Sequence, residues 1–283
     1  HDPARLHVYF LHDNSLDVKA HRRLQEYATG LGARFTSLVV GPEMTAQFPD
    51  HVRFGRVAWY RILLPQLLPE LDRVLYIDSD AIVTAVLDEL FAMPLGNQAL
   101  AAVTDPIFPP ASMAFYQRFG IPGAAQYFNS GVLLMNLATW RSEGLSAKLL
   151  DFIRRGEGLD SWPDQNALNA VLWGRRRALA PRWNAMNRIF EGPLEGLPHT
   201  EDEIKQARSQ PAIVHYVGPY KPWHYRCKHP LRQLYFQHRS QTPWASTQLD
   251  GRTLYHRLMR LLPIPVSIRL ELRLYRARAR VLR

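Results

Sequence analysis

The chain has one cysteine, Cys227, in 283 residues, so no intrachain disulfide can form, and this scarcity fits a reducing compartment. No apolar run is long enough to span a bilayer, and no signal peptide is visible. Internal repeats are absent, as is low-complexity sequence outside the C-terminal tail. Acidic residues nearly vanish at one end. From Arg252 to Arg283 there are nine Arg, no Lys or Asp, and only Glu271, a balance of +8 within a total of +10. The body is therefore close to neutral, and the basic character describes the tail alone.

The length allows one large domain or two modest ones, and 47% hydrophobic residues suffice for a real core. The most informative stretch is Arg73-Val74-Leu75-Tyr76-Ile77-Asp78-Ser79-Asp80. A short run of β-branched and aromatic residues reads as a buried strand. It ends in two carboxylates, at the strand end where open α/β sheets bind ligands. Two acids one residue apart repel each other, so the pair costs stability unless something cationic joins it. Oxygen ligands suit a hard divalent ion, Mg²⁺ or Mn²⁺.

Taken in order, Leu6 to Leu11 reads as a strand, followed by a turn with Ser15 or Asp17 as N-cap. A helix carrying Leu24, Tyr27, Ala28 and Leu31 should stop at Gly30 or Gly32, and Arg34 to Val40 is the next strand. This strand–helix–strand unit belongs to a parallel sheet. Val57 to Leu68 reads as a helix bent or ended by Pro65, and Ala99 to Val103 as a strand leading to Thr104-Asp105-Pro106. Ile107 to Gly123 reads as a long surface loop with one short helix near Phe115. Asn129-Ser130-Gly131 has the chemistry of a tight turn, followed at once by a buried strand. Leu145 to Arg154 is helical, and Trp162-Pro163-Asp164-Gln165 opens another helix. Ala212 to Gly218 reads as a strand whose end carries a histidine and a glycine, His215 and Gly218, with Lys221 in the loop beyond. An imidazole joins carboxylates readily around Mn²⁺, while Gly and Lys suit a phosphate.

Asp78-Ser79-Asp80, Asn129-Ser130-Gly131, Pro163-Asp164-Gln165 and His215-Tyr216-Val217-Gly218-Pro219-Tyr220-Lys221-Pro222-Trp223 stand in the order and rough spacing of family 8 retaining glycosyltransferases. The chain resembles that family, in particular the bacterial lipopolysaccharide core glucosyl- and galactosyltransferases, from about Leu6 to the Thr242-Pro243-Trp244 segment. The resemblance implies an α/β fold of GT-A type, a Rossmann-like mixed sheet flanked by helices, over residues 1–246; residues 247–283 read separately as a basic amphipathic tail. It implies a UDP-glucose or UDP-galactose donor and Mn²⁺, with Mg²⁺ as a substitute. By the same resemblance Asp78, Asp80 and His215 match metal ligands, and Gly218 and Lys221 match diphosphate contacts. Arg61, Asp105, Asn129, Asp164 and Gln165 match positions around the donor sugar, and Asp78 also matches the ribose contact. Gln165 stands nearest the catalytic face of the sugar, with Asp164 as the alternative nucleophile. The family begins with a further strand ending in an Asp-x-Asn-Tyr-like motif that holds the uracil, and then a helix. Leu6 to Leu11 matches its second strand, and His12-Asp13-Asn14 fits that strand's exit, so the first strand and helix are expected to be missing from this sequence.

In the tail, Leu254, Leu258, Leu261 and Leu262 share one helical face, and Arg269, Arg273, Arg276 and Arg280 form a basic stripe. This reads as an interfacial helix on anionic lipid, placing the protein on the cytoplasmic face of the bacterial inner membrane beside a lipid-linked saccharide acceptor. Nucleic acid is not expected as a partner, because aromatic residues for base stacking are sparse there. Two other readings compete. Strand plus Asp-x-Asp also marks phosphatases of the haloacid dehalogenase type, although Ile82 stands where those carry Thr or Val. A non-catalytic sugar-binding protein could also keep the fold.

Overall fold

His7–His12 (β1) and Arg34–Val39 (β2) form a parallel pair with His7 opposite Arg34, joined by the helix Val18–Gly30 (α1). The Asp17 carboxylate accepts the Ala20 N–H and so caps α1, and the chain leaves the helix through Gly32 at φ +88°, a conformation glycine adopts without strain. Of the two N-cap candidates, Asp17 therefore fills the position. The structure, a computed structural model, describes residues 2–50, 55–106, 112–159, 162–192 and 194–261. The chain divides into two units, His1–His215 and Tyr216–Arg283.

The core of the first unit is a mixed sheet. Arg73–Ile77 (β3) runs antiparallel to Phe128–Asn136 (β6), which runs antiparallel to Leu100–Thr104 (β5), and β5 is parallel to Arg176–Leu179 (β7). A smaller sheet joins Ala81–Val83 (β4), Ile213–His215 (β9) and Ala185–Met186 (β8). Residues Leu100 to Val103 and Val132 to Met135 have no exposed surface. Each large apolar side chain buried in this way contributes roughly 1.5–3 kcal/mol. The helices Leu145–Arg155 (α2) and Pro163–Leu172 (α3) pack on this sheet through Leu149, Phe152, Leu168 and Leu172. Pro163 occupies the first turn of α3, where its missing N–H is no loss.

Two local readings are corrected, and the helix expected over Val57 to Leu68 is refined. Val57–Leu63 is a 3-10 helix, followed by one α-turn, Leu64–Leu67, with Pro65 at its start. Apolar side chains at almost every position, with Ala58 to Leu63 all buried, leave no amphipathic period to enforce the wider α-helix. Asn129-Ser130-Gly131 is not a turn: it lies inside β6, where burial and the Asp78 N–H bond to the Gly131 carbonyl override the local turn preference of these residues. The strand expected over Ala212 to Gly218 is confined to Ile213–His215.

The helix Glu201–Ser209 (α4) starts with a capping box, Thr200 and Glu203 bonding each other's backbone N–H. Of the long loop, residues 107–111 lie outside the described residues, and Ser112–Arg118 is the short helix expected near Phe115.

The second unit holds the helices Arg232–Arg239 (α5) and Leu254–Leu261 (α6). Leu254, Leu258 and Leu261 are exposed on α6 at 73%, 59% and 81%, while Met259 is buried, so the expected apolar stripe faces solvent. Leu262 and the basic stripe from Arg269 to Arg280 lie outside the described residues. Buried His229 in this unit packs edge-on against Tyr216, and its Nδ1 accepts the Leu231 N–H at 3.0 Å. Burial pushes its pKa down to about 4. The unfolded chain, with an ordinary histidine, binds the proton first, so stability is lost as pH falls from 6.5 toward 4. Between pH 7.5 and 5 the wild type should lose about 2 kcal/mol more than His229→Asn in urea unfolding followed by tryptophan fluorescence. Equal losses would contradict this.

Candidate active site

Strand register brings the acidic pair and the histidine together. Ile77 lies opposite Val132, so the next residue, Asp78, meets Gly131 and donates its backbone N–H to the Gly131 carbonyl at 2.7 Å. The chain turns through Ser79 and enters β4, whose first residue Ala81 lies opposite His215. His215 Nε2 is consequently 3.1 Å from Asp80 Oδ1 and 3.9 Å from Asp78 Oδ2. One ligand atom from each of Asp78, Asp80 and His215 lies within 4.8 Å of the others. Gly131 makes the approach possible. A Cβ built there would stand 2.2 Å from His215 Cε1 and 2.8 Å from Asp78 Oδ2. Its absent side chain matters here for space, since no positive φ is involved.

Arg61, buried on the 3-10 helix, bridges two carboxylates. Its Nη2 is 3.1 Å from Asp78 Oδ1 and 3.3 Å from Asp164 Oδ2, and its Nη1 donates to the Ser130 carbonyl. The guanidinium lies 4.4 Å from the centre of the Tyr76 ring, and the Tyr76 hydroxyl donates to Asp78 Oδ1 at 2.6 Å. Burial opposes the arginine's charge, but Asp78, Tyr76 and Asp164 outweigh it and hold the group firmly protonated. Burial likewise raises the pKa of Asp164, against the pull of Arg61. Burial also lifts the Tyr76 phenol well above its usual range. Three carboxylates, Asp78, Asp80 and Asp164, thus share this pocket with one guanidinium. The remaining negative charge, and an imidazole nitrogen facing carboxylate oxygens, fit a divalent cation held by oxygen and nitrogen donors.

A polar layer adjoins the acids. α3 is pinned to β6 by Asn169, which accepts the Phe128 N–H and donates to the Phe128 carbonyl, both at 2.8 Å. That docking sets Asp164 and Gln165 against Ser130 and Asn129. The Ser130 hydroxyl donates to Asp164 Oδ2 at 3.1 Å, and the Ser130 N–H to Gln165 Oε1 at 3.1 Å. Gln165 Nε2 donates to Asp105 Oδ2 at 2.9 Å, and Asn129 Nδ2 donates to Asp105 Oδ2 and to Gln165 Oε1. Asp105 reaches this layer where the register between β5 and β6 shifts, from Ala102 opposite Leu133 to Thr104 opposite Phe128, and the Asp105 N–H bonds the Tyr127 carbonyl. All of these polar residues are at most 8% exposed. Buried amides and carboxylates with their partners in place form a rigid surface.

Of the residues singled out in the sequence, Arg61, Asp78, Asp80, Asp105, Asn129, Asp164, Gln165 and His215 form this one connected constellation. Gly218 and Lys221 belong to the second unit. Gly218 sits at φ +97°, in the left-handed region, and Lys221 Nζ donates to the Tyr216 carbonyl at 2.9 Å. The sequence reading passed over Tyr76, Ser130 and Asn184. Tyr76 reads as strand filler and Ser130 as turn chemistry. Asn184 ends the 3-10 turn Pro181–Asn184 and carries no local signal. Asp13 is occupied structurally: its carboxylate accepts from the Ser15 backbone and from the Tyr60 hydroxyl at 2.7 Å.

The family model described as Glycosyl transferase family 8 matches residues 6–227. The chain is 30% identical over 250 residues to General stress protein A of Bacillus subtilis, covering 86% of this chain and 85% of that protein. It is 22% identical to the lipopolysaccharide 1,3-galactosyltransferase of Salmonella typhimurium, over 91% of this chain and 76% of that one. It is 29% identical to the lipopolysaccharide 1,2-glucosyltransferase of Escherichia coli, over 68% of this chain and 56% of that one. Among solved structures, the galactosyltransferase LgtC in complex with donor and acceptor sugar analogues aligns with a TM-score of 0.69 at 23% identity, covering 83% of this chain and 96% of that one. This likeness is one of fold, the mixed α/β architecture of the GT-A type.

Proposed function

We propose a specific reaction for this chain, which belongs to glycosyl transferase family 8 and is a glycosyltransferase: transfer of glucose or galactose from a UDP-sugar to a lipopolysaccharide-type saccharide, with retention at the anomeric carbon. The observation that carries this reading is the convergence of Asp78, Asp80 and His215 beside a buried amide-and-carboxylate surface. The lipopolysaccharide transferases among the relatives support the choice of acceptor class. Asp78, Asp80 and His215 would hold Mn²⁺, or Mg²⁺ in its place, which when bound supplies Lewis-acid neutralisation of the leaving diphosphate. Asp78 would also meet the ribose.

The protein's own groups do the rest. Asp105, Asn129 and Gln165 present fixed donors and acceptors suited to the hydroxyls of a hexose. Arg61 holds Asp78 and Asp164 in place. Gly218 and Lys221 would contact the diphosphate as the anomeric C–O bond breaks. The anomeric carbon then carries oxocarbenium character, the acceptor hydroxyl attacks from the same face, and its proton passes to the departing phosphate oxygen. Retention by double displacement would need a free nucleophile. Gln165 Oε1 already accepts from the Ser130 N–H and from Asn129 Nδ2, and an amide is a poor nucleophile. Asp164 is tied to Arg61 and Ser130. Same-face attack therefore predicts that Asp164→Asn keeps kcat within about tenfold, a change of about 1.4 kcal/mol in the barrier, in a steady-state transfer assay. A loss of several thousandfold, with a trapped glycosyl adduct in the wild type, would point to Asp164 as the nucleophile.

The exposed Leu254, Leu258 and Leu261 stripe, with the nine arginines that follow Gly251, supports docking on an anionic lipid surface where a lipid-linked acceptor would lie. No helix among the described residues is long and apolar enough to cross a membrane. The reaction is tested by a donor screen: UDP release from UDP-glucose, UDP-galactose and other UDP-sugars, with and without Mn²⁺. Metal-dependent turnover of one of the first two is expected. Turnover of neither, or turnover that chelators leave untouched, would overturn the reading.

A further inference from the structure

Backbone N–H groups can only donate, and two of them fix every amide orientation in this site. The Gly131 N–H points to Asn129 Oδ1 at 2.9 Å, and the Ser130 N–H to Gln165 Oε1 at 3.1 Å. Asn129 therefore presents its NH₂ to Asp105 and Gln165. Its Oδ1 also accepts from Asn184 Nδ2 at 2.9 Å. With its nitrogen so committed, Asn184 can offer only Oδ1 to His215 Nδ1, 2.9 Å away. An oxygen acceptor at that distance requires the proton on Nδ1. The chain of logic runs from two peptide groups through two side-chain amides to one imidazole tautomer. His215 Nε2 is left to face the gap shared with Asp80 and Asp78, where a cation would sit between them.

We propose that Asn184 is the positioning residue of this site: it locks His215 as the Nδ1–H tautomer, so that Nε2 is ready for a divalent cation, and through Asn129 it ties that ligand to the Asp105–Gln165 surface. The inference deepens the metal reading above and rests on it. Asn184 and His215 are 0% and 3% exposed, so water does not substitute for either partner. Their spacing is set by the fold. The Ala212 N–H bonds the Arg182 carbonyl at 2.8 Å, and Met186 pairs with His215, which together hold the Pro181–Asn184 turn beside β9. Partners of this kind, hydrogen-bonded to the far nitrogen of a ligating histidine, fix ring orientation and are worth roughly 10–100-fold in metal affinity.

Two measurements test it, neither of them activity. Long-range proton–nitrogen NMR of the wild-type chain at pH 8, without metal, should show His215 protonated on Nδ1, with His215→Gln used to assign the signal. An Nδ1 that carries no proton would overturn the proposal without any variant having to fold. Titration with MnCl₂ alone, read by electron paramagnetic resonance of the free ion, should show binding weakened about 10–100-fold in Asn184→Ala. Asn184→Asp keeps an acceptor for Nδ1–H but turns a second oxygen on Asn129 Oδ1, so it should bind Mn²⁺ more tightly than Asn184→Ala while melting below wild type. Unimpaired binding by Asn184→Ala, or equal loss in both variants, overturns the role of Asn184. A wild type that takes up no Mn²⁺ overturns the metal reading itself, and the tautomer result separates that failure from the other.

Discussion

Asp80→Ala should reduce metal-supported sugar transfer by about a thousandfold or more, equivalent to roughly 4 kcal/mol in the barrier at 1.36 kcal/mol per tenfold. Asp80 is the cleaner probe of the acidic pair. Asp78 also carries Arg61 and the Tyr76 hydroxyl, so its removal unseats a buried guanidinium along with a metal ligand. Breaking a buried ion pair by removing one partner costs about 3–5 kcal/mol. Loss of Asp80 takes away a carboxylate that faces His215 Nε2 at 3.1 Å and leaves the Arg61 contacts intact. Thermal stability should therefore hold or rise slightly, because two like charges no longer share the strand end. Activity should fall even at saturating Mn²⁺, since the missing oxygen donor is not replaced by more ion. The measurement is kcat/KM over a range of Mn²⁺ with a melting curve on the same preparation. Activity within tenfold of wild type would remove Asp80 from the metal site.

Gly131→Ala is the second large effect, and it distinguishes crowding from chemistry. The added methyl carbon would sit 2.2 Å from His215 Cε1 and 2.8 Å from Asp78 Oδ2, closer than nonbonded atoms approach. The opposing atoms are a buried imidazole and a carboxylate held by Arg61 and Tyr76, so the easiest escape is displacement of His215. Shifting a ligand by about 1 Å costs on the order of 100-fold in rate. Overpacking itself costs about 1–3 kcal/mol of stability. The expected result is a folded protein, with a melting temperature a few degrees lower, that has lost about 100-fold in kcat and much of its Mn²⁺ affinity. A variant equal to wild type in both would show that the space above Gly131 is not needed. Gly120→Ala is a useful contrast. Its Cβ would meet nothing within 4 Å, so only the strain of φ +65° is felt and catalysis should be spared.

Much of this site could be read from the chain. The Asp-Ser-Asp ending on an apolar strand announced itself through an abrupt change from β-branched and aromatic residues to paired carboxylates. His215 stood out because an imidazole at the end of a buried strand is chemically conspicuous. The helix opening at Pro163 followed from the first-turn preference of proline. Other features were hidden. Asn129-Ser130-Gly131 misled because each of the three residues favours turns when isolated, whereas burial and the Asp78 N–H bond to the Gly131 carbonyl keep them in β6, at the place where its pairing with β5 shifts register. The register shift by which Ala102 faces Leu133 but Thr104 faces Phe128 has no local mark. The 3-10 form of Val57–Leu63 arises from burial of nearly the whole segment, which erases the periodic signal a reader relies on.

The sequence alone determined the chemical inventory: which side chains carry charge, which strand ends offer ligands, where helices start, and where basic charge collects. Those properties depend on residue type and short spacing, and both survive in an unfolded chain. The tertiary structure decided what only proximity can decide. The Ala81–His215 register set a histidine 135 residues downstream of Asp80 within 3.1 Å of its carboxylate, and Arg61 came to rest between Asp78 and Asp164. Asn184, unremarkable in its own neighbourhood, acquired its role from the ring it touches. Hydrogen-bond direction and strand register are relations between distant residues, and no single residue encodes them.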